Sequence, residues 1–171
     1  MTAEVDQPAL PASFELRPES PADAPFLFTL YCDVRSEELA QTGWPPEQVE
    51  AFLRSQFELQ TRAYRATFPD AEFNLILCGG RPAGRIYVAR LAGEIRLVDL
   101  ALAAEFRNRG IGTVLLRGLV ASADQAGLPV RFHVERSNRA RHLYERFGFQ
   151  IVSENGPYFL LERPPGGSRP S

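Results

Sequence analysis

The segment Arg107-Asn108-Arg109-Gly110-Ile111-Gly112 is the part of this chain best equipped for chemistry. It leads from an apolar strand pattern into an apolar helix pattern, so its amides fall at a helix N-terminus. There, unsatisfied N–H groups and the positive end of the helix dipole attract anions. Gly110 and Gly112 let a ligand approach the backbone with no side chain between. The chemistry implied is the holding of a phosphate or pyrophosphate. Two glycines at this spacing also fit a plain tight turn. A dinucleotide fingerprint needs a third glycine where Leu115 stands, and a P-loop needs a lysine. The chain has none: all 19 of its basic residues are arginine.

Asp99 is the next residue out of pattern. It sits in an apolar strand, and strict alternation puts it on one face with Ile95, Leu97 and Ala101. A carboxylate there is costly unless it is paired. Either it is neutralised by an arginine, or it faces a cleft. His133 lies in a later strand and points opposite to Val130, Phe132 and Val134. Cys32 and Cys78 are too few for a disulfide framework and lack metal-ligand spacing, so they read as buried thiols in a reducing, cytoplasmic setting with no metal.

The elements that must position these groups follow from periodicity. One domain is expected over residues 13–163, with flexible ends at 1–12 and 164–171. A short strand, Ser13 to Arg17, precedes a helix that Ser20-Pro21-Ala22-Asp23 opens and that runs to Ala40. Thr42-Gly43-Trp44 breaks it, and Pro45-Pro46-Glu47 opens a second helix to Phe68. Three strands in a meander follow (Ala71 to Cys78, Ala83 to Leu91, Glu94 to Ala103). A helix from Gly110 to Ala126, a strand from Pro129 to Glu135 and a short helix from Arg139 to Phe147 come next. Strands Phe149 to Val152 and Tyr158 to Glu162 close the chain. Strand–helix–strand over 94–135 predicts a parallel pair with a right-handed crossover inside a mixed α/β sheet.

Charge sets limits on partners. The net charge of −2 argues against nucleic acid, and no apolar run approaches the roughly 18 residues of a membrane span. Glu4 and Asp6 stand where a secretion signal carries positive charge. Residues 1–92 carry 8 Arg against 13 acids, while 93–171 carry 11 Arg against 8 acids. A polyanion therefore suits the second half and a cation the first, and ordinary surface variation also gives such a split.

Leu97-x-x-Leu100-x-Leu102-x-x-Glu105-x-Arg107-x-x-Gly110-x-Gly112 resembles the cofactor signature of the GCN5-related N-acetyltransferase (GNAT) superfamily. About 26 residues after Gly112, the run from Asn138 through Arg139, Tyr144 and Gly148 to Phe149 is similar to that family's second signature. The resemblance spans nearly the whole chain. It implies the GNAT fold, with about seven strands, a splayed parallel pair and four helices. It also implies transfer of an acetyl group from acetyl-CoA to a primary amine by direct attack. The partners implied are a small-molecule or peptide amine and, commonly for this architecture, a second copy of the chain. A protein of this fold that binds coenzyme A without catalysis is the alternative.

Residue by residue, the resemblance places the pyrophosphate on the amides from Arg107 to Gly112, namely Arg107, Asn108, Arg109, Gly110, Ile111 and Gly112, with Thr113 beside them. A bulge near Leu100-Ala101-Leu102 splays that strand, and the Leu102 amide polarises the thioester carbonyl. Asn138 bonds the cofactor arm, although it stands six residues before Tyr144, one fewer than is usual in the family. Tyr144 is the acid for the departing thiolate. Asp99, His133 or water alone takes the proton from the amine. The acceptor is expected near Glu37, Glu38 and Trp44, whose other reading is a solvated helix face with a core tryptophan.

Overall fold

A computed structural model describes residues 13–167 of the chain. Of the ends expected to be flexible, 1–12 and 164–171, the residues 1–12 and 168–171 lie outside the described residues. The elements are β1 (Phe14–Pro18), α1 (Ala24–Ala40), α2 (Pro46–Thr67), β2 (Glu72–Cys78), β3 (Arg81–Arg90), β4 (Ile95–Leu102), α3 (Ile111–Ala126), β5 (Val130–Glu135), α4 (Arg141–Arg146), β6 (Gln150–Asn155) and β7 (Tyr158–Arg163). Seven strands form one mixed sheet in the order β1-β2-β3-β4-β5-β7-β6. The expected fold class is thus the observed one, and element boundaries shift by a few residues. The largest differences are α1, whose α-helix starts at Ala24 after a 3-10 turn, and β6, which continues to Asn155 rather than Val152.

Local chemistry explains where the helices begin and end. Ahead of α1, Pro21–Asp23 form a 3-10 turn in which the Ser20 amide donates to Asp23 Oδ2 at 2.7 Å. Arg17 grips the same carboxylate with both Nη atoms at 2.9 Å, tying β1 to the helix start. Pro46 opens α2 at a position that needs no N–H. Gly127 ends α3 with φ of 66°, and its amide returns to the Ala123 and Asp124 carbonyls. Beyond β7, the Gly166 amide donates to Asp124 Oδ1 at 2.7 Å, so ordered packing continues past the expected boundary at 163.

The two sheet faces are covered differently. On one, Ile76, Ile86, Val88, Ile95, Leu97, Val130, Phe132 and Val134 pack against Ile111, Leu115, Leu116, Leu119 and Val120 of α3. Ile95, Ile111, Leu116 and Val130 lose essentially all contact with water. Each such side chain contributes about 1.5–3 kcal/mol. The other face is covered by α1 and α2, which pack on each other through Tyr31, Leu39, Leu53, Phe28 and Phe57.

Candidate active site

β4 and β5 pair only at their starts, Ile95 with Val130 and Arg96 with Arg131. Beyond these residues β5 stays bonded to β7 through Glu135, while β4 stays bonded to β3 through Leu102. The parallel pair is therefore open over most of its length, a gap flanked by unpaired backbone groups.

The loop from Arg107 to Gly112 lies at the end of this gap. Asn108 (φ 59°) and Gly110 (φ 81°) adopt left-handed backbone, which Asn and Gly tolerate best. The first bond of α3 runs from the Val114 amide to the Gly110 carbonyl at 3.1 Å, and no side chain caps the helix. The amides of Ile111, Gly112 and Thr113 are thus unclaimed by the helix. A Cβ on Gly112 would meet nothing within 4 Å, so the space above it is open. Arg107 Nε donates to the Leu102 carbonyl at 2.9 Å and anchors the loop to the strand end. This arrangement suits a pyrophosphate.

The bulge lies earlier than expected. Leu97 faces Val88 and Asp99 faces Tyr87, which leaves Val98 as the extra residue. The bulge is therefore at Val98, not at Leu100-Ala101-Leu102. It also reverses alternation: Leu100 and Leu102 join Leu97 on the α3 face, and Asp99 with Ala101 turns to the α1–α2 face. The expectation that Asp99 shares a face with Ile95 and Leu97 is overturned by this one inserted residue. Of the two alternatives for Asp99, the pairing with an arginine is the one observed. Its Oδ2 accepts from Arg85 Nη2 at 2.6 Å and from the Tyr64 hydroxyl at 3.3 Å. No group among the described residues donates to Oδ1, which is not sealed from solvent.

Tyr144 is buried between Phe132 and Phe149, with ring centroids 4.7 and 6.4 Å away. Its hydroxyl bonds to no described group and is not fully sealed from solvent. Burial, then the charge of Asp99, pushes its pKa above the ordinary phenol value, so it stays protonated. Together with Arg141, Gln150 and Leu161 it lines a depression of about 240 Å³. Asn138 Oδ1 accepts from the Ala140 amide at 2.8 Å, which shapes the turn into α4, and its amide nitrogen has no partner among the described residues.

The remaining expected groups are less gathered. His133 is exposed on β5, and its pKa is lowered by partial burial and then by Arg96, at the start of β4 rather than at Asp99. Glu37 and Glu38 are exposed on α1. Trp44 is 39% exposed and lies edge-on to Phe52 at 5.4 Å, so it is not a core residue. Among the described residues, no cluster of three or more His, Cys, Asp or Glu side chains is placed to hold a metal, and no helix is long and apolar enough to cross a membrane. Sequence reasoning missed Arg85, Tyr64 and Gln60, which meet around Asp99. The one signal was a lone charge inside the apolar run of β3. It also missed Gly84, where a Cβ would collide with the Ala101 carbonyl oxygen and displace the end of β4.

A family model for the acetyltransferase (GNAT) family matches residues 33–149, well over half of the chain. The chain belongs to the GNAT acetyltransferase family. Among solved structures, it is similar to the PaiA N-acetyltransferase of Thermoplasma acidophilum in complex with coenzyme A. The identity is 21%, covering 89% of this chain and 99% of that one, with a TM-score of 0.67. An acetyltransferase from Thermus thermophilus matches at 24% identity over 90% of this chain and 98% of that one, TM-score 0.63. The ribosomal-protein-S18-alanine N-acetyltransferase of Escherichia coli matches at 16% identity over 89% and 94%, TM-score 0.59. Among curated protein sequences, none matches. At these identities the solved structures share the GNAT fold, and the family model carries the assignment to acyl transfer.

Proposed function

We propose that this GNAT protein transfers an acetyl group from acetyl-CoA to a primary amine by direct attack of the amine on the thioester. The observation that carries the reading is the split between β4 and β5, with uncapped α3 amides at one end, Asp99 on β4 and Tyr144 against Phe132 of β5. The cosubstrate supplies an activated acyl group, and the chain's residues bind, orient and exchange protons. The amides of Ile111, Gly112 and Thr113, with those from Arg107 to Gly110, hold the pyrophosphate. The Asn138 amide nitrogen and the unpaired backbone from Leu100 to Leu102 hold the pantetheine arm, the Leu102 amide acting as the oxyanion donor.

Tyr144, neutral at working pH, donates a proton to the leaving sulfur and is reprotonated from water. Asp99 Oδ1 accepts a hydrogen bond from the attacking nitrogen and aims its lone pair. With Oδ2 held by Arg85, Asp99 is a better orienter than base, so the proton passes to water. Glu37, Glu38 and Trp44 form the outer rim for a cationic acceptor. A homodimer in the cytoplasm is the setting proposed.

The test is thiol release from acetyl-CoA with a panel of primary amines. At least one amine is expected to accelerate release, and Tyr144→Phe to slow it tenfold or more with coenzyme A affinity nearly unchanged. Coenzyme A binding with no amine-dependent release would instead establish a binding module.

A further inference from the structure

Arg85 is an expensive residue to keep where it stands. Its side chain is 5% exposed, in a strand otherwise filled by Ala83, Ile86, Val88 and Ala89. Nη2 reaches Gln60 Oε1 at 2.9 Å and Asp99 Oδ2 at 2.6 Å. Nε is the one buried side-chain polar atom without a partner among the described residues. A sealed guanidinium with an orphan N–H costs stability that an apolar residue on β3 would not. Packing alone therefore does not account for it, and its position against Asp99 suggests another role.

Direct attack requires a free lone pair on nitrogen, yet amines are mostly ammonium ions in water near neutral pH. A lone carboxylate makes this worse. An opposite charge within about 4–6 Å favours the charged form of its neighbour by roughly 1–3 pH units. Asp99 acting alone would bind ammonium tightly and keep it unreactive. Paired with Arg85, it presents no net charge, while Oδ1 still offers lone pairs to an N–H. We propose that Arg85 is a positioning residue that cancels the charge of Asp99, so that the carboxylate orients the acceptor amine through Oδ1 without retaining its proton. The proton is lost to bulk water as the amine enters. This inference rests on the reading of Asp99 as the group that meets the amine.

The other groups around the pair do not supply the missing charge. Half-buried Tyr64 on α2 and buried Tyr87 on β3 are both held protonated, and Tyr87 donates to Glu19 Oε2 at 2.6 Å. Tyr31 on α1 is likewise raised by burial and carries Arg35 stacked at 4.9 Å on its ring. Tyr144 on α4 feels the charge of Asp99 and stays a neutral phenol. On β5, exposed His133 is beside Arg96 and Glu94. Glu19 is itself bridged by Arg65. Arg85 is the cation that touches Asp99 directly.

The probe is n-butylamine, which has one titratable group and no other polar feature. Its binding is measured by calorimetry from pH 6 to pH 10 with coenzyme A present, and its acetylation is followed over the same range with acetyl-CoA. Arg85→Gln keeps a donor but removes the charge. It is expected to bind n-butylammonium at least tenfold more tightly at pH 7 than the wild type. It should also move the acid limb of the kcat profile up by about one unit or more. Arg85→Lys should restore the wild-type midpoint. A uniform fall in kcat with no shift in midpoint and no gain in ammonium binding overturns the proposal and leaves Arg85 as a structural residue. Thermal melting shows whether Arg85→Gln folds. If it does not, the Arg85→Met/Asp99→Asn double variant, with both charges removed, must keep the wild-type midpoint, and an upward shift there overturns the proposal. Asp99→Asn alone separates the two readings. Unchanged KM for n-butylamine removes the assignment of Asp99 itself, whereas a raised KM beside a flat Arg85→Gln profile removes only the role of Arg85.

Discussion

On the α3 face of the sheet, the candidate site is made of backbone, and on the α1–α2 face it is made of side chains. The first uses the loop from Arg107 to Gly112 and the start of α3, a contiguous stretch backed by fully buried Ile111 and Leu116. The second gathers Tyr64 from α2, Arg85 and Tyr87 from β3 and Asp99 from β4, joined by hydrogen bonds, an ion pair and the edge-on contact of the two tyrosine rings. A ligand common to a whole family can be held by amides that every sequence possesses. A ligand particular to one member has to be met by side chains, and their polar contacts are costly to bury and easily broken. On the proposed function, the rigid face would hold the shared substrate and the polar face the specific one.

The comparison can be broken most forcefully at Leu116. Leu116→Ala is expected to cost about 2–5 kcal/mol in denaturant unfolding, because the α3 face has no slack to fill the cavity. A loss near zero would show that face to be as adaptable as the other. Next in size is Gly112→Asp, which adds an anion where the amides attract one. Coenzyme A affinity should fall about tenfold, roughly 1.4 kcal/mol, with the melting temperature nearly unchanged because the new Cβ meets open space.

Asp23 sharpens the same contrast from the α1 side. Hydrogen bonds from Arg17, opposed by partial burial, hold its carboxyl at about 2, against an ordinary value of 3.8. Its stabilisation is complete above pH 4 or so and is lost as pH falls toward 2. Asp23→Asn should lower stability by about 1 kcal/mol at neutral pH and flatten that acid-induced loss, as read by melting between pH 2 and pH 5. The smallest effect is expected at His133. His133→Ala should change turnover with n-butylamine less than twofold at pH 8, since its ring lies by Arg96 and not by Asp99. A larger drop would place the base on β5.

The legible part of the site was the contiguous part. Gly110, Gly112 and the apolar positions of α3 are neighbours in the chain, so their spacing reports their geometry, and Tyr144 lies within a similarly compact run. Asp99 was visible as an anomaly, but its surroundings were not. Alternation is a rule about unbroken strands, and the inserted residue at Val98 inverts every side chain after it. A bulge leaves little mark in composition when its residue is as ordinary as valine. Arg85, 14 residues before Asp99, and Tyr64, 35 before it, converge only once α2 packs on the sheet.

The order of strands and helices, the turn that Ser20 opens ahead of α1, the start of α2 at Pro46 and the glycine turn before α3 were all determined by the sequence, because hydrophobic period, capping and φ preference act over a few residues. The opening of β4 from β5, the face that Asp99 takes and the arginine that neutralises it were decided by the tertiary structure. These depend on register between distant strands and on which side chains share one buried space, and no local preference encodes either.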